Sequence, residues 1–270
     1  VSLPVNKWIL HELDEVNQAV CSAIDSYRFN EAADKLYHFI WNLYCDWYIE
    51  FIKPFIDDSA ETRQVAGFVL HEVIGLLNPI MPFITEELNK EIFASDELLI
   101  TKKWPTRLGL GVADTQINMV IDVITSIRAI RAEMNIPLSA KPKLIIRGVS
   151  STHQAVLQEM ELPIIKLARI DEIIFSDGVF PKDTAQDNVH GFDIGLPLTG
   201  ILDFEAEAAR LNKEISAALS EINKISKKLG NESFVQKAPE AVVQENKRRL
   251  EEEQGKTNAL NAALERLDLN

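Results

Sequence analysis

The chain has 270 residues, of which 46% are hydrophobic and 26% charged. This is ordinary globular usage, long enough for two or three folding units, and it excludes a wholly disordered chain. The net charge of −13 argues against a generally basic nucleic-acid binder, so any polyanion partner must meet local clusters of cations rather than a global field.

The first third reads as helices. Ile9, Leu13, Val16, Val20 and Ile24 recur at helical steps, and so do Phe29, Ala33, Leu36, Ile40, Tyr44, Trp47 and Phe51. Asn30 is a candidate N-cap for the second of these helices, and Pro54 stops it. Ser59 suits the cap of a third helix carrying Val65, Val69, Val73 and Leu76, which Asn78-Pro79 ends. Pro82 and Thr85-Glu86-Glu87 suit the first turn of a fourth. Four such helices on short loops predict an antiparallel bundle over residues 1–110.

The middle third, 111–200, predicts a small α/β junction module. Ile117, Ile121, Ile124, Ile127 and Ile130 mark a helix halted at Ile136-Pro137. Lys143–Arg147, Glu172–Phe175 and Asn188–Leu198 read as strands around a helix over Thr152–Ala168, kinked at Pro163.

Residues 201–270 carry a heptad seam. Ile201, Phe204, Ala208, Leu211, Ile215, Ala218, Ile222, Ile225 and Leu229 alternate steps of three and four. Gly230-Asn231 is expected to end this helix, with the glycine in the left-handed cap conformation. A return helix from near Pro239 places Val243, Leu250, Leu260, Leu264 and Leu267 on its seam, interrupted by Asn246, Glu253 and Thr257. The pattern predicts an antiparallel coiled coil with its tip near 230–238. The fold class is mainly α: bundle, small α/β module and coiled coil.

Motifs for chemistry are sparse. The five histidines have no metal-ligand spacing, and two cysteines cannot make a four-thiolate site. No glycine-rich phosphate loop or nucleophile elbow is present. The start, Val1-Ser2-Leu3-Pro4, does not read as a secretory signal, and its lack of Met fits a fragment or a processed chain. A reducing, cytoplasmic setting is expected. Half of the 20 aromatic residues fall between Tyr27 and Phe55. Phe29, Tyr44, Trp47 and Phe51 are expected in the core. Trp41 and Tyr48, off that stripe, either pack on a neighbouring helix or offer a plane to a splayed base. Arg28 is either a phosphate contact or a solvated surface group. Arg128 and Arg131 share a helix face, as a structural pair or a phosphate clamp. The cations on the two seam helices are either a solvated surface or an RNA contact.

Several segments together resemble the C-terminal portion of the valyl-tRNA synthetase family. They include Asn6-Lys7-Trp8-Ile9-Leu10, Tyr27-Arg28-Phe29-Asn30-Glu31-Ala32-Ala33, Trp41-Asn42, Cys45-Asp46-Trp47-Tyr48 and Asn78 through Leu88. Trp104-Pro105, Ile127 through Glu133, Gly200-Ile201-Leu202-Asp203 and Asn231 through Val235 follow in the same order. Asn89 departs from the pattern, standing where a bulky aromatic is expected. The resemblance implies an anticodon-binding bundle, a junction and a tRNA-binding arm, with catalytic and editing domains upstream. It implies a monomer partnered by tRNA(Val). The parent enzyme would use ATP and Mg²⁺ to join valine to that tRNA, and this chain alone would hold no cofactor and have no catalytic residue. Anticodon contacts are expected from Arg28, Trp41, Tyr48, Lys53, Arg128 and Arg131. Contacts to the tRNA corner are expected from Lys224, Lys227, Lys228, Lys237, Lys247, Arg248 and Arg249. Lys224-Ile225-Ser226-Lys227-Lys228 also resembles the mobile lysine loop of class I synthetases, but its place mid-helix and on the seam speaks against that role. Two rival readings are a coiled-coil protein-interaction module and the matching region of an isoleucyl-type synthetase.

Overall fold

A computed structural model describes residues 1–110, 116–201, 204–231 and 239–268, with only the backbone at 204, 205, 207 and 266–268. The fold is mainly α with one four-stranded sheet. It forms two compact units, Val1–Ile121 with Ser151–Leu167, and Asp122–Ser150 with Ala168–Asn270.

In the first unit, α1 (Pro4–Asp25) starts with proline in its first turn, where a missing N–H costs nothing. α2 (Phe29–His38) runs without a break into a π-wound stretch (Phe39–Tyr48) and a last α turn (Ile49–Ile52). The expected Asn30 cap is not used: the cap position falls two residues earlier, on Arg28, with no side-chain cap. α3 (Ala60–Leu77) is capped as predicted, the Thr62 N–H donating to Ser59 Oγ at 3.1 Å. α4 (Pro82–Phe93) opens at the predicted proline. Successive helices reverse direction, so the starts of α1 and α3 meet: Asn6 Nδ2 donates to Thr62 Oγ1 at 3.2 Å. The end of the π stretch arrives at the same place, with Tyr48 donating to Asn6.

The π winding corrects the expected inward stripe. The Ile49 N–H donates to the carbonyl of Tyr44, five residues back, and this wider turn rotates the inward face. Within the π stretch the buried positions are Phe39, Tyr44 and Tyr48 rather than Ile40 and Trp47; Leu36, Tyr44 and Phe51 are buried as expected, and ahead of the stretch Ala32 rather than Phe29 or Ala33 is buried. Phe29 is exposed and Trp47 half-buried.

Asn89 is buried and polar. Its Nδ2 donates to the Glu97 carbonyl at 3.0 Å, and its Oδ1 accepts from Lys102 Nζ at 3.2 Å. Hydrogen bonds to the following loop thus replace the aromatic packing expected there.

In the second unit, β1 (Leu144–Arg147) pairs parallel with β2 (Ile173–Phe175) and antiparallel with β4 (Phe192–Pro197), which pairs antiparallel with β3 (Thr184–Val189). The single strand expected over 188–198 is instead this β3–β4 hairpin. His190 and Gly191, both at positive φ, make its two-residue turn, and that geometry matches the twist of the flanking strands. The helix Gln116–Glu133 (α5) is also as predicted, and in this unit it holds the hairpin: His190 Nε2 meets Asp122 Oδ2 at 2.7 Å, and Ser126 donates to Asp187. In the first unit, the expected kink at Pro163 is a break at Met160 between Ser151–Glu159 (α6) and Glu161–Ala168 (α7), which puts the proline in a first turn, where it fits.

The arm of the second unit is α8 (Phe204–Leu229) packed on α9 (Glu240–Asp268). Leu211, Ala218 and Ile225, one per heptad, are buried, facing Val243, Thr257 and Ala263 of α9 among the buried residues of the pair. Polar seam residues satisfy themselves locally: Thr257 donates to the Glu253 carbonyl and Asn246 to the Val242 carbonyl, at 2.8 and 2.7 Å. α8 ends at Gly230 without the left-handed conformation expected of that glycine. The expected seam side chains Phe204 and Leu267, and the tip over 232–238, lie outside the described residues.

Candidate nucleic-acid interface

With Ala32 and Leu36 turned fully inward, α2 must present the opposite face to water. Tyr37 and Trp41 stand on it, one turn apart. Their rings are near parallel, at 7°, with centroids 6.5 Å apart, and they are 60% and 57% exposed. A groove of about 620 Å³ lies between this pair and Leu77, Ile80 and Met81 at the corner leading into α4. Asp34 supplies the charge on its edge. Tyr27 and Phe29, edge to face at 6.4 Å, are exposed at the start of the same helix. Phe29 also lines a second groove of about 530 Å³ with Ile24, Pro79 and Trp104. Aromatic planes left open to water above apolar slots are suited to stacking an unpaired base, which contributes about 1–3 kcal/mol per base.

Three of the expected anticodon contacts lie on the surface of this unit. Trp41 belongs to the groove. Arg28 pairs with Glu31 at 3.0 Å at the start of α2, and Lys53 pairs with Glu50 at its end. Both pairs are exposed, contribute little to stability and leave the cations available.

Tyr48 is a correction. It is fully buried, stacks on Tyr44 with ring centroids 5.7 Å apart, and donates to Asn6 Oδ1 at 3.0 Å. Burial pushes its phenol well above the ordinary range, and pushes that of Tyr44 up to about 12. It is a core residue that no base can reach. Arg131 is another correction. It is 7% exposed, and its guanidinium donates to the carbonyls of Arg169, Pro137 and Ala140 at 3.0–3.1 Å. Burial lowers its pKa, and the neighbouring Arg169 adds to this. Its donors fasten loops and are not free for phosphate. Arg128, three residues earlier, is exposed. The two arginines therefore do not form one clamp. Both belong to the second unit, unlike Arg28, Trp41 and Lys53.

Tyr37 is the residue that sequence reasoning missed. Its signal was the four-residue spacing to Trp41, combined with Leu36 as the inward neighbour.

On the arm, Glu221 gathers two of the expected cations. Its Oε1 accepts from Arg249 Nη2 at 3.0 Å across the helix pair, and its Oε2 from Lys224 Nζ at 3.4 Å. Arg248 is held by Glu245 at 2.6 Å and by Glu252. These contacts raise the Arg248 pKa, and the same hydrogen bond holds Glu245 below the usual carboxylate range. Lys227, Lys228 and Lys247 are exposed and carry no ion pair among the described residues. Lys237 lies outside the described residues. Ile225 is buried in the seam, so the lysine-loop likeness around it sits on a continuous helix.

Residues 6–146, more than half of the chain, match the anticodon-binding domain of tRNA ligase. The chain belongs to this anticodon-binding family. Residues 203–268 match the valyl tRNA synthetase tRNA binding arm. The chain is 39% identical to a valine–tRNA ligase of Mesorhizobium japonicum over 98% of its own length and 30% of the relative's. It is 39% identical to that of Caulobacter vibrioides, over 99% and 31%, and 41% identical to that of Agrobacterium fabrum, over 93% and 28%. The chain thus spans about a third of the length of these relatives. The anticodon-binding match covers the Tyr37–Trp41 groove, and the arm match covers the α8–α9 pair with its lysines. The resemblance to the C-terminal portion of valyl-tRNA synthetases is supported by both matches.

Proposed function

We propose that this chain is the tRNA-gripping part of a valine–tRNA ligase. In this reading the bundle takes the anticodon loop of tRNA(Val) and the arm holds the tRNA corner. The observation that carries it is the parallel, exposed Tyr37–Trp41 pair over an apolar groove, inside the segment that matches anticodon-binding domains. An anticodon loop presents the unstacked bases that such a surface accommodates. The exposed lysines of α8 and α9 suit phosphate contacts, which set register without reading sequence.

Joining valine to tRNA with ATP and Mg²⁺ belongs, in this proposal, to the catalytic part of the longer polypeptide, whose editing domain also lies outside this chain. The chain alone binds and does not catalyse. We further propose a monomer working in the cytoplasm; no helix among the described residues is long and apolar enough to cross a membrane.

The protein-interaction reading requires apolar seams left open on the arm. The buried seam residues of α8 and α9 weigh against it, because the pair covers its own seam. The arm match to valyl enzymes weighs against the isoleucyl-type reading. The deciding test is filter binding of this chain to a valine tRNA and to the same tRNA with a changed anticodon. Preference for the matched anticodon is expected, and equal affinity overturns the anticodon role.

A further inference from the structure

We propose that Asp34 makes the Tyr37–Trp41 groove selective, by accepting a hydrogen bond from a base that carries an exocyclic amino group and by disfavouring uracil. This rests on the anticodon-binding reading and gives one side chain of the bundle a reading role.

The groove is apolar on both walls, with the aromatic pair on one side and Leu77, Ile80 and Met81 on the other. Such walls stack any base with only modest preference, because every base has a π face. Discrimination must come from a polar group at the rim, and Asp34 is the charged residue of this lining.

The helix sets that carboxylate in a row of polar side chains. Asp34, His38 and Asn42 follow one another at four-residue steps, beside the Tyr37–Trp41 pair on the same rod. Asn42 Nδ2 lies 3.0 Å from His38 Nδ1. His38 Nε2 lies 3.4 Å from Asp34 Oδ1, within ion-pair reach of that oxygen. The second carboxylate oxygen has no partner among the described residues, and the side chain is 60% exposed at the mouth of the groove.

A carboxylate accepts hydrogen bonds and cannot donate them. Cytosine N4, adenine N6 and the N1 and N2 groups of guanine all offer N–H groups to it. Uracil presents two carbonyl oxygens flanking its one N–H, so it meets like partial charge. A well-placed polar contact to a base edge discriminates by about 5- to 100-fold.

The test uses the 270-residue chain and RNA hairpins bearing the valine anticodon loop, with each loop base replaced in turn by uracil. At one amino-bearing position, the uracil replacement weakens wild-type binding at least fivefold. In Asp34→Asn that penalty falls to twofold or less, because the amide has lost the charge and can donate to a carbonyl. In Trp41→Ala all hairpins weaken alike, since stacking is removed without touching selectivity. Both residues are exposed, and unchanged thermal melts verify that the variants fold. If Asp34→Asn keeps every wild-type penalty, Asp34 is not a reader and the proposal falls while the anticodon reading stands. If the wild-type chain binds every hairpin equally or binds none, the anticodon reading falls and the proposal with it.

Discussion

Tyr48 donates its phenolic hydrogen bond to Asn6 Oδ1 at 3.0 Å, in a wholly buried position that joins the π-wound end of α2 to the start of α1. Asn6 is the hub of the join. Its Nδ2 donates to Thr62 Oγ1 and to Glu61 Oε1, which ties in α3 as well. Replacing Tyr48 with Phe keeps the ring and strands the Asn6 oxygen away from water. The expected loss is about 1–3 kcal/mol of stability. Urea unfolding measures it, and tRNA affinity of the folded variant should stay unchanged, because Tyr48 touches no solvent.

The same join predicts an acid-labile step. Glu61 accepts from Asn6, from Ser2 and from the Leu3 N–H, and these hydrogen bonds hold its carboxyl at about 2, against an ordinary 4.5. The folded pKa is depressed, so the stabilisation is present above pH 4.5 and is lost as pH falls towards 2. The urea midpoint of the wild type should drop across that window. Glu61→Gln should start lower at neutral pH and show a shallower drop. Parallel pH profiles for the two proteins would contradict this account.

Arg131 should matter for stability rather than for RNA. Arg131→Ala leaves three carbonyls without their donor, at an expected cost of about 3 kcal/mol or more. Arg131→Lys should recover only part of this, because one ammonium cannot reproduce the guanidinium fork. Unfolding by urea reports the loss. The salt dependence of tRNA binding by Arg131→Lys should match the wild type.

Lys227 and Lys228 carry no ion pair among the described residues, whereas Lys224 and Arg249 share Glu221. Replacing Lys227 and Lys228 with Ala should weaken matched and anticodon-changed tRNAs equally. For each phosphate that the variant no longer neutralises, the slope of log K against log salt should become shallower by about one. In a chain of charge −13, where acidic groups outnumber basic ones, the wild-type slope should itself be modest. A slope as steep as about −6 would mean that many more phosphates are neutralised than this surface suggests.

The long periodic elements were legible in the chain. The Ser59 cap, the proline start of α4, the α5 helix and the heptads of α8 all depend on near neighbours. Propensity, capping and side-chain spacing act within a turn or two, so the residue order states them directly. The family likeness was readable for the same reason, through short segments such as Cys45-Asp46-Trp47-Tyr48 that need no tertiary context.

What needed three dimensions was every choice between two locally equal options. Along the chain, Trp47 and Tyr48 are adjacent aromatics. The switch to i→i+5 bonding, favoured by packing against α1 and α3, sends Tyr48 inward to Asn6 and leaves Trp47 half-buried. Arg128 and Arg131 read as twins, but only one lies where three loop carbonyls converge. Tyr37 drew no notice until Leu77, Ile80 and Met81 from a distant corner formed the opposite wall of its groove. Burial and hydrogen-bond partners depend on residues far away in the chain, and a local pattern carries no record of them.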